Sequence, residues 1–126
     1  MLLNVVHHVA IIVSDYEISR EFYVEKLELP IIRENYRESR DDYKLDLQVG
    51  DIELEIFGVK NPPARVTNPE ARGLRHLAFK VDDIEVAVKW LKDKGIETEP
   101  IRFDEYTQKR MTFFRDPDDL PLELHE

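Results

Sequence analysis

The chain has 126 residues, 27 acidic and 18 basic side chains and a net charge of −9, so it is long enough for one domain with its own core and too acidic to favour nucleic acid or anionic membrane as a partner. It has no cysteine, which rules out a disulfide framework and thiolate chemistry. No apolar run approaches the roughly 20 residues of a membrane span, and the start lacks a basic segment followed by an apolar core, so we expect a cytoplasmic protein.

In chain order, Val5 to Val13 alternates and is rich in β-branched residues, which predicts a strand with Val9, Ile11 and Val13 on one face and His8, Ala10 and Ile12 on the other. Asp15 is a candidate N-cap for a helix running to about Leu27, before Pro30. Its apolar pattern is untidy, because Tyr16, Tyr23 and Leu27 share a face that Ile18 and Phe22 do not. Strands are expected at Ile31 to Tyr36, Lys44 to Val49 and Ile52 to Phe57, the last two joined as a hairpin at Gly50-Asp51. Residues 60–73 hold three prolines and a glycine and read as a linker.

The second half repeats this order. A strand is expected at Leu74 to Val81, then a helix capped by Asp83 and ended by Gly95, with Ile84, Ala87, Val88 and Leu91 as its buried stripe. Strands should follow near Thr98 to Phe103, Arg110 to Phe114 and Leu120 to Leu124, with a turn at Asp116-Pro117-Asp118-Asp119. The expected fold is α+β, a single domain over 1–126: module 1 at about 1–59, a linker at about 60–73 and module 2 at about 74–126. Each module is βαβββ, a mixed, mostly antiparallel sheet with one helix on its back, and the two sheets are expected to curl around a central cleft.

The half-repeats carry matching polar residues. His8 and His76 lie 68 positions apart, and so do Glu55 and Glu123. Strand alternation sets each of them on the face opposite the large apolar residues. A lone histidine or glutamate in a strand is ordinarily a hydrogen-bonded or solvated residue. Four of them at one repeat step, with carboxylates whose burial would cost several kcal/mol uncompensated, point to the ligands of one divalent metal ion. His7, Glu53 and His125 are neighbours without such a counterpart, although Glu53 and His125 share faces with the ligands and are alternatives to them.

The segments His7 to Ile11, Gly73-Leu74-Arg75-His76-Leu77-Ala78-Phe79 and Asp116-Pro117-Asp118, followed by Leu122-Glu123-Leu124, resemble the glyoxalase/bleomycin-resistance/dioxygenase (vicinal oxygen chelate) superfamily over essentially the whole chain. Asn61-Pro62-Pro63-Ala64-Arg65 and Thr107 to Phe114 resemble, more narrowly, a bacterial lactoylglutathione-lyase-like group. The resemblance implies paired βαβββ modules, a metal held by His8, Glu55, His76 and Glu123, a small-molecule substrate and a homodimer. Asp119 departs from the family, whose turn usually has glycine there; aspartate tolerates the left-handed conformation better than most residues.

Two histidines and two glutamates suit zinc, nickel, cobalt, manganese or iron. The implied activity is that of a lyase or isomerase stabilising an enolate or enediolate through two neighbouring substrate oxygens, with Glu55 or Glu123 also taking and returning the proton. Arg37 and Lys44 are the candidate substrate-binding cations. The alternatives are a drug-binding module of the bleomycin-resistance type, an extradiol-dioxygenase-like enzyme, a fosfomycin-type thiol transferase and a purely structural metal. The second glutamate weighs against the oxygenase and thiol-transferase readings, because their sites use three protein ligands.

Overall fold

The computed structural model describes residues 1–126, and the chain divides into two compact units, Met1–Ala64 and Arg65–Glu126. In the first unit β1 (His8–Val13), β2 (Ile31–Arg37), β3 (Asp42–Val49) and β4 (Ile52–Gly58) form a sheet ordered β1-β4-β3-β2. β1 runs parallel to β4 and the other pairings are antiparallel. The second unit repeats this with β5 (Leu77–Lys80), β6 (Arg102–Phe103), β7 (Arg110–Arg115) and β8 (Pro121–His125) in the order β5-β8-β7-β6. Again only the first strand, β5, is parallel to its neighbour. Each unit is thus the expected βαβββ module.

One helix backs each sheet. α1 is α-helical over Tyr16–Arg20 and continues in the wider π form over Glu21–Lys26, with Leu27 N–H donating to the Phe22 carbonyl five residues back at 2.9 Å. Phe22 is buried together with Tyr16, Ser19 and Tyr23, while Ile18 stays exposed. α2 (Ile84–Asp93) follows its cap as expected: the Asp83 carboxylate accepts from the N–H groups of Glu85 and Val86. Trp90 is only half-buried, with the Lys94 ammonium 5.5 Å from its ring centre, whereas Phe22 is a core residue.

Alternation settles the faces. Ile11, Val13, Leu45, Leu47, Leu54 and Ile56 are buried on the helix side of the first sheet, as Leu122, Leu124 and Phe114 are in the second unit. The opposite faces carry the polar residues considered below.

Three strands are shorter than their patterns suggest. β1 starts at His8, because its partner begins at Ile52 and leaves Val5 and Val6 without a neighbouring strand and exposed. β5 starts at Leu77, since Arg65 donates to the carbonyls of Leu74 and Arg75 at 2.5 and 3.2 Å. β6 shrinks to two residues after Pro100, which has no N–H to give a ladder. The turn before β8 holds: Asp119 has φ 64°, and the Asp116 carboxylate accepts from the N–H groups of Asp118 and Leu120. No helix is long and apolar enough to cross a membrane.

Candidate metal centre

The first unit presents His8 and Glu55 on the sheet face away from α1. In the parallel β1–β4 pair Ala10 is registered on Glu55, and His8, two residues before Ala10, shares its face. His8 Nε2 stands 3.7 Å from Glu55 Oε1. The second unit does the same with His76 and Glu123. Ala78 is registered on Glu123, and His76 Nε2 stands 3.8 Å from Glu123 Oε2. Both glutamates are largely covered, with side-chain exposures of 12% for Glu55 and 11% for Glu123.

Neither gap is a hydrogen bond. The Glu123 carboxylate accepts no hydrogen bond, and the cation nearest to Glu55 is the Lys44 ammonium at 3.5 Å. In neither unit does a third imidazole or carboxylate join the pair to make a group able to hold an ion. Each unit therefore offers one nitrogen and one oxygen donor, aimed at a common point from neighbouring strands. Glu55 has the Lys44 ammonium at 3.5 Å and Glu123 faces the open cavity described below; an imidazole nitrogen beside a carboxylate oxygen is a donor pair that suits a divalent cation.

Around Glu55 the first unit builds a chain of alternating charge. The Arg33 guanidinium reaches Glu53 and Asp46, each at 2.7 Å, and the Lys44 ammonium donates to both Asp46 oxygens at 2.7 and 2.9 Å. Asp46, fully buried, links the two cations. Asp46 did not stand out in the sequence, since an aspartate alternating with leucines reads as a solvated face. The one available signal was its place on the same face as Lys44, two residues along.

The remaining candidates are placed as follows. Arg37 is held by Asp42 through two bonds of 2.7 Å, which keep the Asp42 carboxyl below and the Arg37 guanidinium above their ordinary titration ranges, and it lies 5.0 Å from the Phe57 ring centre. Glu53 is occupied by Arg33. His7 is exposed, its Nδ1 2.9 Å from that of His8. The Glu126 carbonyl at 2.7 Å, and after it the Asp104 carboxylate at 3.2 Å, raise the pKa of His125.

His76 and Glu123 open onto a cavity of about 780 Å³ inside the second unit. Its wall includes Met111, Phe113, Arg102 and Arg115. Phe113 meets the His76 ring edge-to-face at 5.2 Å and has the Arg102 guanidinium 5.3 Å from its centre. The arrangement can take a small molecule with an apolar body and polar oxygens toward the His76–Glu123 pair.

Residues 5–124 match the family model of the Glyoxalase/Bleomycin resistance protein/Dioxygenase superfamily. The Bacillus subtilis protein YwkD is 59% identical, the match covering 100% of this chain and 99% of that one. The crystal structure of a glyoxalase family protein from Enterococcus faecalis superposes with a TM-score of 0.94 at 56% identity, covering 100% of both chains. At 20% identity and a TM-score of 0.73, covering 99% of this chain and 93% of the other, the fold is also that of a variant of the fosfomycin resistance protein FosX from Listeria monocytogenes, solved with Mn(II) and 1S,2S-dihydroxypropylphosphonic acid.

Proposed function

This chain belongs to the Glyoxalase/Bleomycin resistance protein/Dioxygenase superfamily, and from that premise we propose that it is a metal-dependent lyase or isomerase of the glyoxalase-like type. The observation that carries the reading is the pair of matched His–Glu couples, standing 3.7 and 3.8 Å apart at corresponding places in the two modules, each with a largely covered carboxylate. We take His8, Glu55, His76 and Glu123 as the ligands of one divalent ion, brought together within one chain or across two copies of it. The Mn(II) bound by FosX supports such an ion on this scaffold.

A divalent ion held by these residues supplies a Lewis acid for two neighbouring oxygens of a small-molecule substrate. The chain's own residues do the rest. Glu55 or Glu123 takes a proton from the adjoining carbon on a carboxylate oxygen and returns it to the neighbouring position. Phe113 and Met111 line the second unit's cavity and offer the apolar part of the substrate a surface to pack against. Arg37 and Lys44, on the polar face of the first sheet, meet anionic ends of the substrate through N–H groups left over from Asp42 and Asp46.

The second reading is sequestration of a small molecule without chemistry, which the size of the cavity favours. Metal analysis of gently purified protein, followed by a screen of glutathione hemithioacetals, acyl-thioesters and catechols, separates the two. Stoichiometric metal and turnover abolished in Glu123→Gln support the enzyme. Metal-free protein that binds a ligand unchanged supports sequestration and overturns the enzyme.

A further inference from the structure

Asp46 is the one carboxylate of the first sheet's polar face that is completely covered, and its position governs a cation. It is registered opposite Glu55 across β3–β4, so both side chains project from the same face of adjacent strands. The Lys44 ammonium lies between them. It sits 2.7 and 2.9 Å from the two Asp46 oxygens but 3.5 Å from Glu55 Oε2. Arg33 Nε, 2.7 Å from Asp46 Oδ2, holds the aspartate from the other side.

Lys44 stands at Glu55 Oε2 and His8 at Oε1, so the ammonium and an ion beside His8 would share one carboxylate through its two oxygens, and they repel one another at short range. An ammonium free to choose would close on Glu55 to the 2.7–2.9 Å of a charge-assisted bond. The second unit has nothing of this kind. The residue registered opposite Glu123 is Phe113, and the position two residues before it is Met111. The lysine and its restraint belong to the first half-repeat alone.

We infer that Asp46 is a positioning residue for the proposed metal site: it draws the Lys44 ammonium back from Glu55 and so leaves that carboxylate available to an ion. The inference rests on the reading of Glu55 as a ligand and adds to it a residue that touches neither metal nor substrate.

The test measures zinc affinity of the full chain by competition with a chromophoric chelator. Asp46→Asn should bind zinc about tenfold more weakly, the scale on which outer partners tune a metal site. Lys44→Met, which copies the second unit's Met111 and keeps the Arg33–Asp46 pair, should bind more tightly than wild type. Asp46→Asn combined with Lys44→Met should return to the affinity of Lys44→Met alone. A double variant as weak as Asp46→Asn overturns the inference, because the aspartate would then not act through the lysine. If Asp46→Asn does not fold, Lys44→Met decides by itself, and unchanged or weaker zinc binding overturns the proposal. A crystal structure of metal-free Asp46→Asn should show the Lys44–Glu55 distance contracted from 3.5 Å to about 2.8 Å, and an unchanged distance overturns the restraint. Wild-type protein that takes up no zinc overturns the metal reading itself, and the crystal distance then decides alone whether Asp46 restrains Lys44.

Discussion

His76 and Glu123 reach toward each other from neighbouring strands and stop 3.8 Å apart, too far for a hydrogen bond and about right for two groups with something between them. Glu123→Gln keeps the size of the side chain and removes its charge. Zinc or nickel affinity should fall by more than the roughly 10–100-fold typical of outer partners. Turnover of any substrate found should fall with it. Isothermal titration with the metal checks this, and an unchanged isotherm would remove Glu123 from the ligand set.

Arg110 grips the Glu126 carboxylate at 2.9 and 2.7 Å, and that bond, joined by the Ile84 N–H, lowers the Glu126 pKa from 4.5 to about 2. A depressed carboxylate stabilises the fold at pH values above its unfolded pKa and loses that contribution as the pH falls toward the folded one. Glu126→Gln should therefore melt below wild type at pH 7, and the two melting curves should converge between about pH 4.5 and 2. A constant offset down to pH 2 would show that the pair does not act through ionisation.

Gly58 lies against the ring of Tyr16, and an added Cβ would fall 2.8 Å from both the Cβ and the Cδ1 of that tyrosine. The tyrosine has little freedom to yield. It stacks on Tyr43 at 4.2 Å and donates its hydroxyl to Glu34. Gly58→Ala should cost about 1–3 kcal/mol, the range of an overpacked core, measured by urea unfolding. A neutral substitution would mean that the ring moves aside freely.

The Asp83 carboxylate satisfies two N–H groups at the start of α2 that have no helical partner. Asp83→Ala should destabilise the protein by about 1 kcal/mol. Asp83→Asn, which retains the acceptor, should recover most of that loss in the same melting experiment.

The alternating strands disclosed much of this in the sequence, because a period of two assigns each side chain a face without further information. Leu45, Leu47, Leu54 and Ile56 announce the core in that way, and the repeat step picked out His8, Glu55, His76 and Glu123. Strand ends were less legible, since they depend on where a partner begins: Val5 and Val6 have the composition of a strand and no strand beside them. Nothing in the apolar pattern of residues 16–27 signalled the widened turn of α1. Asp46 was hidden for a different reason. Its burial follows from Arg33 and Lys44, and no local pattern states that two cations from different strands will meet there.

The register of β7 carries a consequence for how the duplicated halves have parted. Where one copy sets an aspartate and a lysine beside its glutamate, the other sets a phenylalanine and a methionine. Two identical halves would surround their glutamates identically. Duplication within a single chain lifts that constraint: one copy surrounds its glutamate with charge, while its sibling lines a pocket with a ring and a thioether.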